Sequence, residues 1–252
     1  MRGRYIIGNW KMNPETHELA AQLLSESARI AAAHPSVNLI VCPPHPFIGR
    51  PKKSSANFYL GAQDAFWAGF GAYTGEVSAS MVESIGARFV IVGHSERRAL
   101  GDTDEIVAQK LSFALKVGLS VILCVGERMR DHEGAYLMEI GRQLATALAK
   151  VPRKYASRII IAYEPIWAIG KQAVRPATAA DVLEMGIYIK RIMTNLWGAA
   201  AAESVCFIYG GSVDAKNARD FLVHGGVKGL LVGRESLYPK SFEKIVAAAE
   251  NI

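Results

Sequence analysis

The sequence predicts an α/β protein that folds as a single (β/α)8 barrel. Eight short apolar runs recur along the 252 residues, segments with helical spacing separate them, and no linker-like or low-complexity stretch interrupts the chain. Strands that alternate with helices predict an all-parallel sheet. An open, doubly wound sheet would show the same alternation, but eight units in about 250 residues favour the closed barrel. We therefore expect one domain over residues 1–252.

The eight apolar runs are the predicted strands. Each is short and mostly continuous rather than alternating, as expected for a strand whose two faces are both buried. Active sites in such barrels lie at the carboxyl ends of the strands, so the polar residues that follow each run are candidates for function. In chain order the runs are Tyr5–Trp10, Val37–Cys42, Phe58–Gln63, Phe89–Gly93, Ser120–Val125, Arg158–Tyr163, Val205–Tyr209 and Gly229–Gly233.

The intervening segments have apolar residues every three or four positions, which predicts helices with one buried face. The first helix is predicted to begin at Asn13, an N-cap residue followed by proline, with Leu19 on its apolar face. The second is predicted to be poor because Pro46, Gly49 and Pro51 interrupt it. Further helices are expected at Ser78–Ile85, Asp104–Val117, Tyr136–Ala149, Thr178–Leu196, Ala215–Val223 and Phe242–Ala249.

Composition and charge are those of an ordinary globular protein. Half of the residues are hydrophobic, 21% are charged, and the formal net charge is +6. This charge suits an anionic small-molecule substrate. The basic residues are scattered, with Lys52-Lys53 and Arg97-Arg98 the densest runs, so we expect no nucleic-acid binding.

Cysteine usage and hydropathy indicate the cellular setting. Cys42, Cys124 and Cys206 are far apart in apolar runs, a spacing that offers neither a CxxC metal pair nor a disulfide framework. We expect buried, reduced thiols in a reducing compartment. No apolar stretch approaches the ~20 residues of a membrane span, and no secretory signal is recognisable. The expectation is a cytoplasmic protein without a membrane partner.

Five motifs lie along the chain at or between the predicted strands. They are Gly8–Asn13 (GNWKMN), Gly71–Ser78 (GAYTGEVS), Gly93–Arg98 (GHSERR), Ala162–Gly170 (AYEPIWAIG) and Tyr209–Val213 (YGGSV). Together they resemble the triosephosphate isomerase family over essentially the whole chain. The resemblance implies a TIM barrel that interconverts dihydroxyacetone phosphate and D-glyceraldehyde 3-phosphate in glycolysis and gluconeogenesis. It implies neither a cofactor nor a metal, because the proton transfer needs neither.

The resemblance also implies roles for individual residues. Glu164 would be the base that removes a proton from the carbon next to the carbonyl. His94 would be a neutral electrophile, since the free N–H groups of a helix starting at Ser95 disfavour an added positive charge. Lys11 would stabilise the oxyanion and bind the dianionic substrate, and Asn9 would supply a further hydrogen bond.

Supporting and phosphate-binding residues follow from the same resemblance. Glu96 is implied to be catalytic and to contact Lys11, and Ser95 to hold Glu164 when the site is open. Phosphate is expected at backbone amides rather than at an arginine cluster, aided by a short helix after the eighth strand. The implied substrate- and phosphate-binding residues are Asn9, Lys11, Ile169, Gly170, Gly211, Ser212, Leu231, Gly233 and Arg234.

Residues 165–176 are implied to form a lid that excludes water from the site when it closes. Tyr209 and Ser212 would hold the closed lid, and Glu127 would brace Trp167 beneath it.

Two segments depart from the family pattern. After Gly170 the family has Thr-Gly-Lys, whereas this chain has Lys171–Arg175 and lacks the glycine that gives the lid tip its backbone freedom. The usual Gly-Gly-Ala-Ser after the eighth strand is Gly233–Ser236 here. The amide of Arg234 can bind phosphate if its backbone angles suit a residue with a side chain, which we expect to point to solvent.

The segment 71–76 resembles a loop by which one subunit reaches into the next, so the resemblance implies a homodimer. Thr74 would then support the active site of the neighbouring subunit. Aromatic residues near the loop are typical of an interface, although they could instead cover the barrel locally. They are Phe66, Trp67, Phe70 and Tyr73.

Two alternative functions remain open from the sequence. A phosphosugar isomerase that acts on tetrulose phosphates would keep the base, histidine and lysine but alter the lid. A non-catalytic barrel that binds a phosphate ligand is the other, and retention of the acid–base residues and of the lid hinge argues against it. Turnover of three-carbon against four-carbon substrates separates these possibilities.

Overall fold

Eight parallel strands close into a barrel in the computed structural model, which describes residues 3–49, 55–131, 133–170, 173–250 and 252. Strand order follows the chain, and the eighth strand pairs with the first. The closed barrel is confirmed, each strand lies within one residue of its predicted bounds, and the open sheet is excluded. The strands are β1 (Arg4–Asn9), β2 (Val37–Cys42), β3 (Phe58–Ala62), β4 (Phe89–Val92), β5 (Ser120–Val125), β6 (Ile159–Tyr163), β7 (Cys206–Tyr209) and β8 (Gly229–Val232).

Apolar strand residues form two layers, one inside the barrel and one outside it. The inner layer includes Cys42, Cys124 and Cys206, which are buried and not disulfide-bonded. The outer layer packs against the apolar faces of the helices. Because both faces of each strand are buried, the strands appear in the sequence as continuous apolar runs. The prediction of buried, unpaired thiols is confirmed.

The helices surround the barrel and mostly connect successive strands. Helix α3 begins at Ser95, as predicted, whereas α7, an alanine-rich turn after Gly198, was not predicted. Within the described ranges the α-helices are α1 (His17–Ala33), α2 (Ala79–Ser84), α3 (Ser95–Ala99), α4 (Asp104–Val117), α5 (Ala135–Leu148), α6 (Ala179–Trp197), α7 (Ala199–Ser204), α8 (Ala218–His224) and α9 (Pro239–Glu250).

The predicted start of the first helix is wrong. Thr16, rather than Asn13, is the N-cap, and its hydroxyl accepts a hydrogen bond from the Leu19 backbone N–H at 3.3 Å. The Asn13 side chain instead donates to the Trp10 carbonyl at 3.2 Å. Because the helix begins later, its buried face starts at Ala20, and Leu19 is 47% exposed.

The start of α8 also differs from the prediction, which placed it at Ala215. The Asp214 carboxylate accepts hydrogen bonds from the N–H groups of Lys216 and Asn217, at 2.7 and 3.0 Å. These bonds hold residues 215–217 in a turn, and the regular helix follows from Ala218.

The predicted weak second helix is a single 3-10 turn, His45–Phe47. Pro46 lies within this turn. Residues 50–54, which include Pro51 and Lys52-Lys53, lie outside the described residues.

Candidate active site

The carboxyl ends of the strands meet at one rim of the barrel, where three of the predicted catalytic residues lie. Asn9 is the last residue of β1, His94 follows β4 after Gly93, and Glu164 directly follows β6. All three side chains are buried, with at most 8% of each residue exposed. Barrel closure thus brings together polar groups that are far apart in sequence.

The Glu164 carboxylate faces His94 and is held by the helix that the histidine precedes. Its Oε2 accepts a hydrogen bond from the Ser95 backbone N–H at 3.1 Å. Its Oε1 lies 3.4 Å from His94 Nε2 and finds no hydrogen-bond partner among the described residues. This oxygen is therefore buried and faces the imidazole.

The histidine is oriented by the backbone of α3. His94 Nδ1 accepts a hydrogen bond from the Glu96 N–H at 3.2 Å, which makes the imidazole the N-cap of this short helix. A nitrogen that accepts a hydrogen bond carries no proton, so the neutral ring has its proton on Nε2. The protonated nitrogen is thus the one that faces Glu164.

Lys11 extends across the rim to Glu96. Its Nζ donates to Glu96 Oε1 at 2.6 Å, and the Glu96 side chain is 56% exposed. A Cβ on Gly233 would stand 3.5 Å from the Lys11 Cε, so the two lie in van der Waals range. The ammonium keeps an anionic partner while remaining accessible, and it can therefore transfer its hydrogen bond to an anionic substrate.

Sequence reasoning missed Gln63, which contacts the Lys11 backbone. Its Nε2 donates to the Lys11 carbonyl at 2.8 Å and to the Cys42 carbonyl at 2.9 Å. In the sequence Gln63 is the last residue of the predicted run Phe58–Gln63, and that place alone gives it no chemical role.

The sequence also did not predict that Cys124, Gly126 and Gly210 surround Glu164. Burial, and after it the negative charge of Glu164, raises the pKa of the Cys124 thiol well above its usual value, so the sulfur stays protonated beside the carboxylate. A Cβ on Gly126 would stand 1.8 Å from the Glu164 carbonyl oxygen, and one on Gly210 would stand 3.0 Å from the Glu164 Cγ. Gly126 therefore leaves space for the Glu164 backbone, and Gly210 leaves space for its side chain.

Comparison with known proteins identifies the family of the chain. The family model for triosephosphate isomerase matches residues 4–249. The chain belongs to the triosephosphate isomerase family. It is similar to the triosephosphate isomerase of Moorella thermoacetica, with 40% identity over 250 residues, or 98% of each chain. The triosephosphate isomerase of Treponema pallidum (strain Nichols) is 39% identical, and the match covers 97% of this chain and 98% of that enzyme. The triosephosphate isomerase of Aquifex aeolicus is 37% identical, and the match covers 96% of this chain and 98% of that enzyme.

Family membership makes the chain an isomerase with the TIM barrel fold. In the part of the chain that the structure describes, none of the helices is long and apolar enough to cross a membrane.

In this isomerase the segment after Glu164 is anchored to the barrel by Glu127, as the resemblance implied. Glu127 Oε1 accepts hydrogen bonds from Trp167 Nε1 and from the Tyr163 hydroxyl, both at 2.7 Å. Burial raises the pKa of Glu127, although these two hydrogen bonds oppose the shift. Ser212 Oγ donates to the Ala168 carbonyl at 3.2 Å, so Ser212 contacts the base of the predicted lid.

The far end of the predicted lid folds back on the near end. The Val174 N–H donates to the Trp167 carbonyl at 2.8 Å. The Arg175 guanidinium lies 4.6 Å from the centre of the Trp167 ring and pairs with Asp181 at 2.7 Å. Lys171 and Gln172, the centre of the altered segment, lie outside the described residues.

Two of the predicted phosphate-binding glycines are Gly170, within the predicted lid, and Gly211, just after β7. Gly170 is exposed and has a φ of +75°, a conformation that favours glycine. A Cβ on Gly211 would stand 2.1 Å from the Tyr209 hydroxyl, so only glycine fits there. The Tyr209 ring packs on Phe221 with a centroid distance of 4.2 Å, and its role in holding a closed lid stays a prediction.

The end of β8 carries the other predicted contacts. Leu231 is buried and points into the barrel. Gly233 precedes a 3-10 turn that begins at Arg234, whose side chain is exposed. Lys11 is the one non-glycine residue with a positive φ among those described, so Arg234 has a backbone conformation that suits a side chain.

The predicted dimer loop is exposed, and Thr74 with it. Phe66 stacks on Trp67 at a centroid distance of 4.0 Å and also contacts Tyr73 at 4.6 Å. Phe70, by contrast, is 96% exposed. Three of the four aromatic residues thus pack on one another, and the fourth projects into solvent.

Proposed function

We propose that this isomerase interconverts dihydroxyacetone phosphate and D-glyceraldehyde 3-phosphate by proton transfer through an enediolate. The observation that carries the proposal is the Glu164 carboxylate, whose buried Oε1 lies 3.4 Å from His94 Nε2. The names and close similarity of the relatives support the substrate assignment. The reaction would place the enzyme in glycolysis and gluconeogenesis in the cytoplasm.

Glu164 takes the proton in the proposed mechanism. Its Oε1 removes a proton from the carbon next to the carbonyl and returns it to the neighbouring carbon, so no proton is gained or lost overall. A carboxylate in a site that excludes water needs little reorganisation during the reaction. The Ser95 N–H holds the other oxygen at 3.1 Å and so fixes the direction in which Oε1 points.

His94 and Lys11 act on the substrate oxygens. The Nε2–H of the neutral His94 donates to the oxygen on which negative charge develops and carries a proton between the two oxygens. The Lys11 ammonium stabilises the same charge, and Asn9 donates a further hydrogen bond. Glu96 holds Lys11 at 2.6 Å until substrate binds.

The phosphate binds at backbone amides around the opposite part of the rim. Glycines allow the backbone to approach the phosphate closely, which supports this assignment. Residues 165–176 would close over the bound substrate, with Ile169 and Leu231 against it. The proposed amide donors are Gly170, Gly211, Ser212, Gly233 and Arg234.

The active unit is proposed to be a homodimer in which Thr74 of one copy supports the site of the other. A cavity of about 410 Å³ beside the site is lined by Asn9, Lys11 and His94. Its lining also includes Met12 and Leu100, which are 94% and 78% exposed. Large exposed apolar side chains around a cavity are typical of a surface that a partner covers.

Substrate assays test this function directly. We expect kcat/KM for D-glyceraldehyde 3-phosphate to exceed the values for the tetrulose phosphates by at least about tenfold. Preference for a four-carbon substrate would instead identify the tetrulose phosphate alternative and would point to residues 171–175 as its cause. No turnover of either class would contradict the enzyme function and leave a phosphate-binding barrel.

A further inference from the structure

The backbone of Lys11 is held in an unfavourable conformation. Its φ is +54°, and no other non-glycine residue among those described has a positive φ. In this region the Cβ of an L-residue crowds its own backbone, so a lysine does not adopt it without support from its surroundings. Such outliers persist when neighbouring groups fix the backbone on both sides.

Two amide side chains provide that support. On one side, Asn9 Oδ1 accepts a hydrogen bond from the Lys11 N–H at 3.0 Å. On the other, Gln63 Nε2 donates to the Lys11 carbonyl at 2.8 Å and to the Cys42 carbonyl at 2.9 Å. Carbonyl oxygens only accept hydrogen bonds, so the amide nitrogen of Gln63 must face them.

Gln63 thereby connects Lys11, the second residue after β1, to the ends of β2 and β3. It directly follows β3, and Cys42 is the last residue of β2. Both hydrogens of its amide are used, one on each carbonyl, so the side chain has little freedom to turn. The loop that carries Lys11 is fixed to the rigid part of the barrel in this way.

The backbone conformation determines where the lysine side chain goes. With φ at +54°, the Lys11 side chain passes Gly233, and its Nζ donates to Glu96 Oε1 at 2.6 Å. A change to a negative φ would rotate the Cα–Cβ bond and carry the ammonium away from this position. We propose that Gln63 is a positioning residue that holds Lys11 in the left-handed conformation and so delivers its ammonium to the substrate oxygen. This inference rests on the proposed role of Lys11.

The test uses Gln63→Met and Gln63→Glu, of which the first is apolar and the second cannot donate as a carboxylate. We expect kcat/KM for D-glyceraldehyde 3-phosphate to fall by roughly tenfold to a hundredfold, because a small misplacement of a catalytic group has effects of this size. In a Lys11→Ala background the same Gln63 changes should alter the residual kcat/KM less than about twofold.

Asn57→Asp is the matched control. Asn57 Nδ2 donates to the carbonyls of Ala31, His34 and Val37 at 2.8, 3.0 and 2.7 Å, at the opposite end of the barrel from the site. This change removes a bridging amide as Gln63→Glu does. It should lower the melting temperature and leave kcat/KM within about twofold of the wild type.

Equal losses of kcat/KM in the Lys11 and Lys11→Ala backgrounds would overturn the proposal, because Gln63 would then act independently of the lysine. A crystal structure of Gln63→Met gives a readout that does not depend on activity. A Lys11 φ that stays near +54° in that structure would also overturn it, whereas a negative φ supports it. If the wild type itself shows no isomerase activity, the proposed function fails, and the φ of Lys11 still decides the role of Gln63. Should Gln63→Met not fold, the structure of Gln63→Glu provides the same readout.

Discussion

At the scale of single residues, the space around the Glu164 carboxylate depends on a glycine on the neighbouring strand end. A Cβ at position 210 would stand 3.0 Å from the Glu164 Cγ and 3.4 Å from a methyl carbon of Leu231. A contact this short forces the carboxylate to move, because the leucine is packed inside the barrel. The geometry of proton removal would change with it.

We predict that Gly210→Ala lowers kcat/KM by about tenfold through displacement of Glu164. Steady-state kinetics with D-glyceraldehyde 3-phosphate measure the effect. Gly49→Ala is the control, because a Cβ there meets nothing within 4 Å. An unchanged kcat/KM in Gly210→Ala would mean that the carboxylate adjusts without loss and that the packing argument is wrong.

The sequence predicted the catalytic residues but not the side chains that surround and hold them. Lys11, His94 and Glu164 stand out because each is a polar residue directly after an apolar run and within a family motif. Cys124 and Gln63 carry no such mark, since a cysteine inside a strand and a glutamine after one occur commonly for packing alone. Their roles depend on which strands are neighbours and on side-chain direction, which a sequence pattern does not give.

At the scale of elements, a cluster of charges joins the two ends of the predicted lid to helix α6. Arg175 and Arg130 both pair with Asp181, at 2.7 and 2.5 Å, and both guanidinium groups lie over the Trp167 ring. Asp181 also accepts a hydrogen bond from the Thr178 N–H at 2.8 Å, which completes a capping box at the start of α6. The lid ends are thus fixed by the same carboxylate that caps the helix.

Removal of one guanidinium should weaken this cluster in a pH-dependent way. The hydrogen bond from Arg175 is the largest cause that lowers the pKa of Asp181 below its ordinary value. A carboxyl whose pKa is lowered by folding contributes stability above its unfolded pKa and loses that contribution as the pH falls through its folded pKa. The stabilisation should therefore be present at pH 7 and decline below about pH 4, the ordinary value for aspartate.

We predict that Arg175→Gln lowers the free energy of unfolding by about 1 kcal/mol at pH 7, a modest value because the arginine is partly exposed. Urea unfolding at pH 7 and at successively lower pH measures the difference from the wild type, which should shrink as Asp181 becomes protonated. Arg191→Gln on the same helix, at an exposed position, is the control. A difference that is independent of pH would contradict the role of the Asp181 charge.

Element bounds were predictable where one physical signal dominates and not where local hydrogen bonds compete. The strands agree within one residue because burial on both faces makes each of them a continuous apolar run. The start of α1 was wrong because Asn13 donates to the Trp10 carbonyl instead of capping the helix. Asp214 does accept capping hydrogen bonds, but residues 215–217 form a turn and α8 begins at Ala218. Helix α9 begins at Pro239, three residues before the predicted Phe242. Competition between caps a few residues apart is decided by geometry that the sequence does not specify.

At the scale of the whole molecule, one face beside the active site retains large apolar side chains in solvent. Met12 and Phe70 are 94% and 96% exposed, and Leu100 is 78% exposed. Gly75 and Glu76 of loop 71–76 line the same cavity as Met12 and Leu100, and Phe70 directly precedes this loop in the sequence. A second copy of the chain would cover these groups and bring Thr74 near the site, as the family resemblance implies.

We predict a dimer in solution, with a sedimentation mass of twice 27.3 kDa. Thr74→Arg should shift the mass to that of the monomer, because a long charged side chain would be forced into a closed interface. The same change should lower kcat/KM by at least about tenfold if the neighbouring loop supports the site. Thr74→Ser is the control, and a monomeric wild type with full activity would contradict the proposed assembly.

Closure of the barrel was predictable from the number of apolar runs and from their alternation with helical segments. The same pattern does not predict whether the chain forms a dimer. Eight units of strand and helix in one chain favour a closed sheet by length alone. An exposed aromatic such as Phe70 marks an interface only once its neighbours Phe66 and Tyr73 are seen to pack elsewhere. The dimer is implied by the resemblance and stays a prediction, which the exposed surface supports.

The central claim is that Glu164 removes the substrate proton, and one comparison tests it most directly. We predict that Glu164→Gln, which keeps the shape of the side chain but removes its basicity, lowers kcat/KM for D-glyceraldehyde 3-phosphate by roughly three or more decades. The folded state should survive, as shown by an unchanged circular dichroism spectrum. A Glu164→Gln enzyme that retains turnover within about tenfold of the wild type would contradict the claim, because another group would then have to be the base.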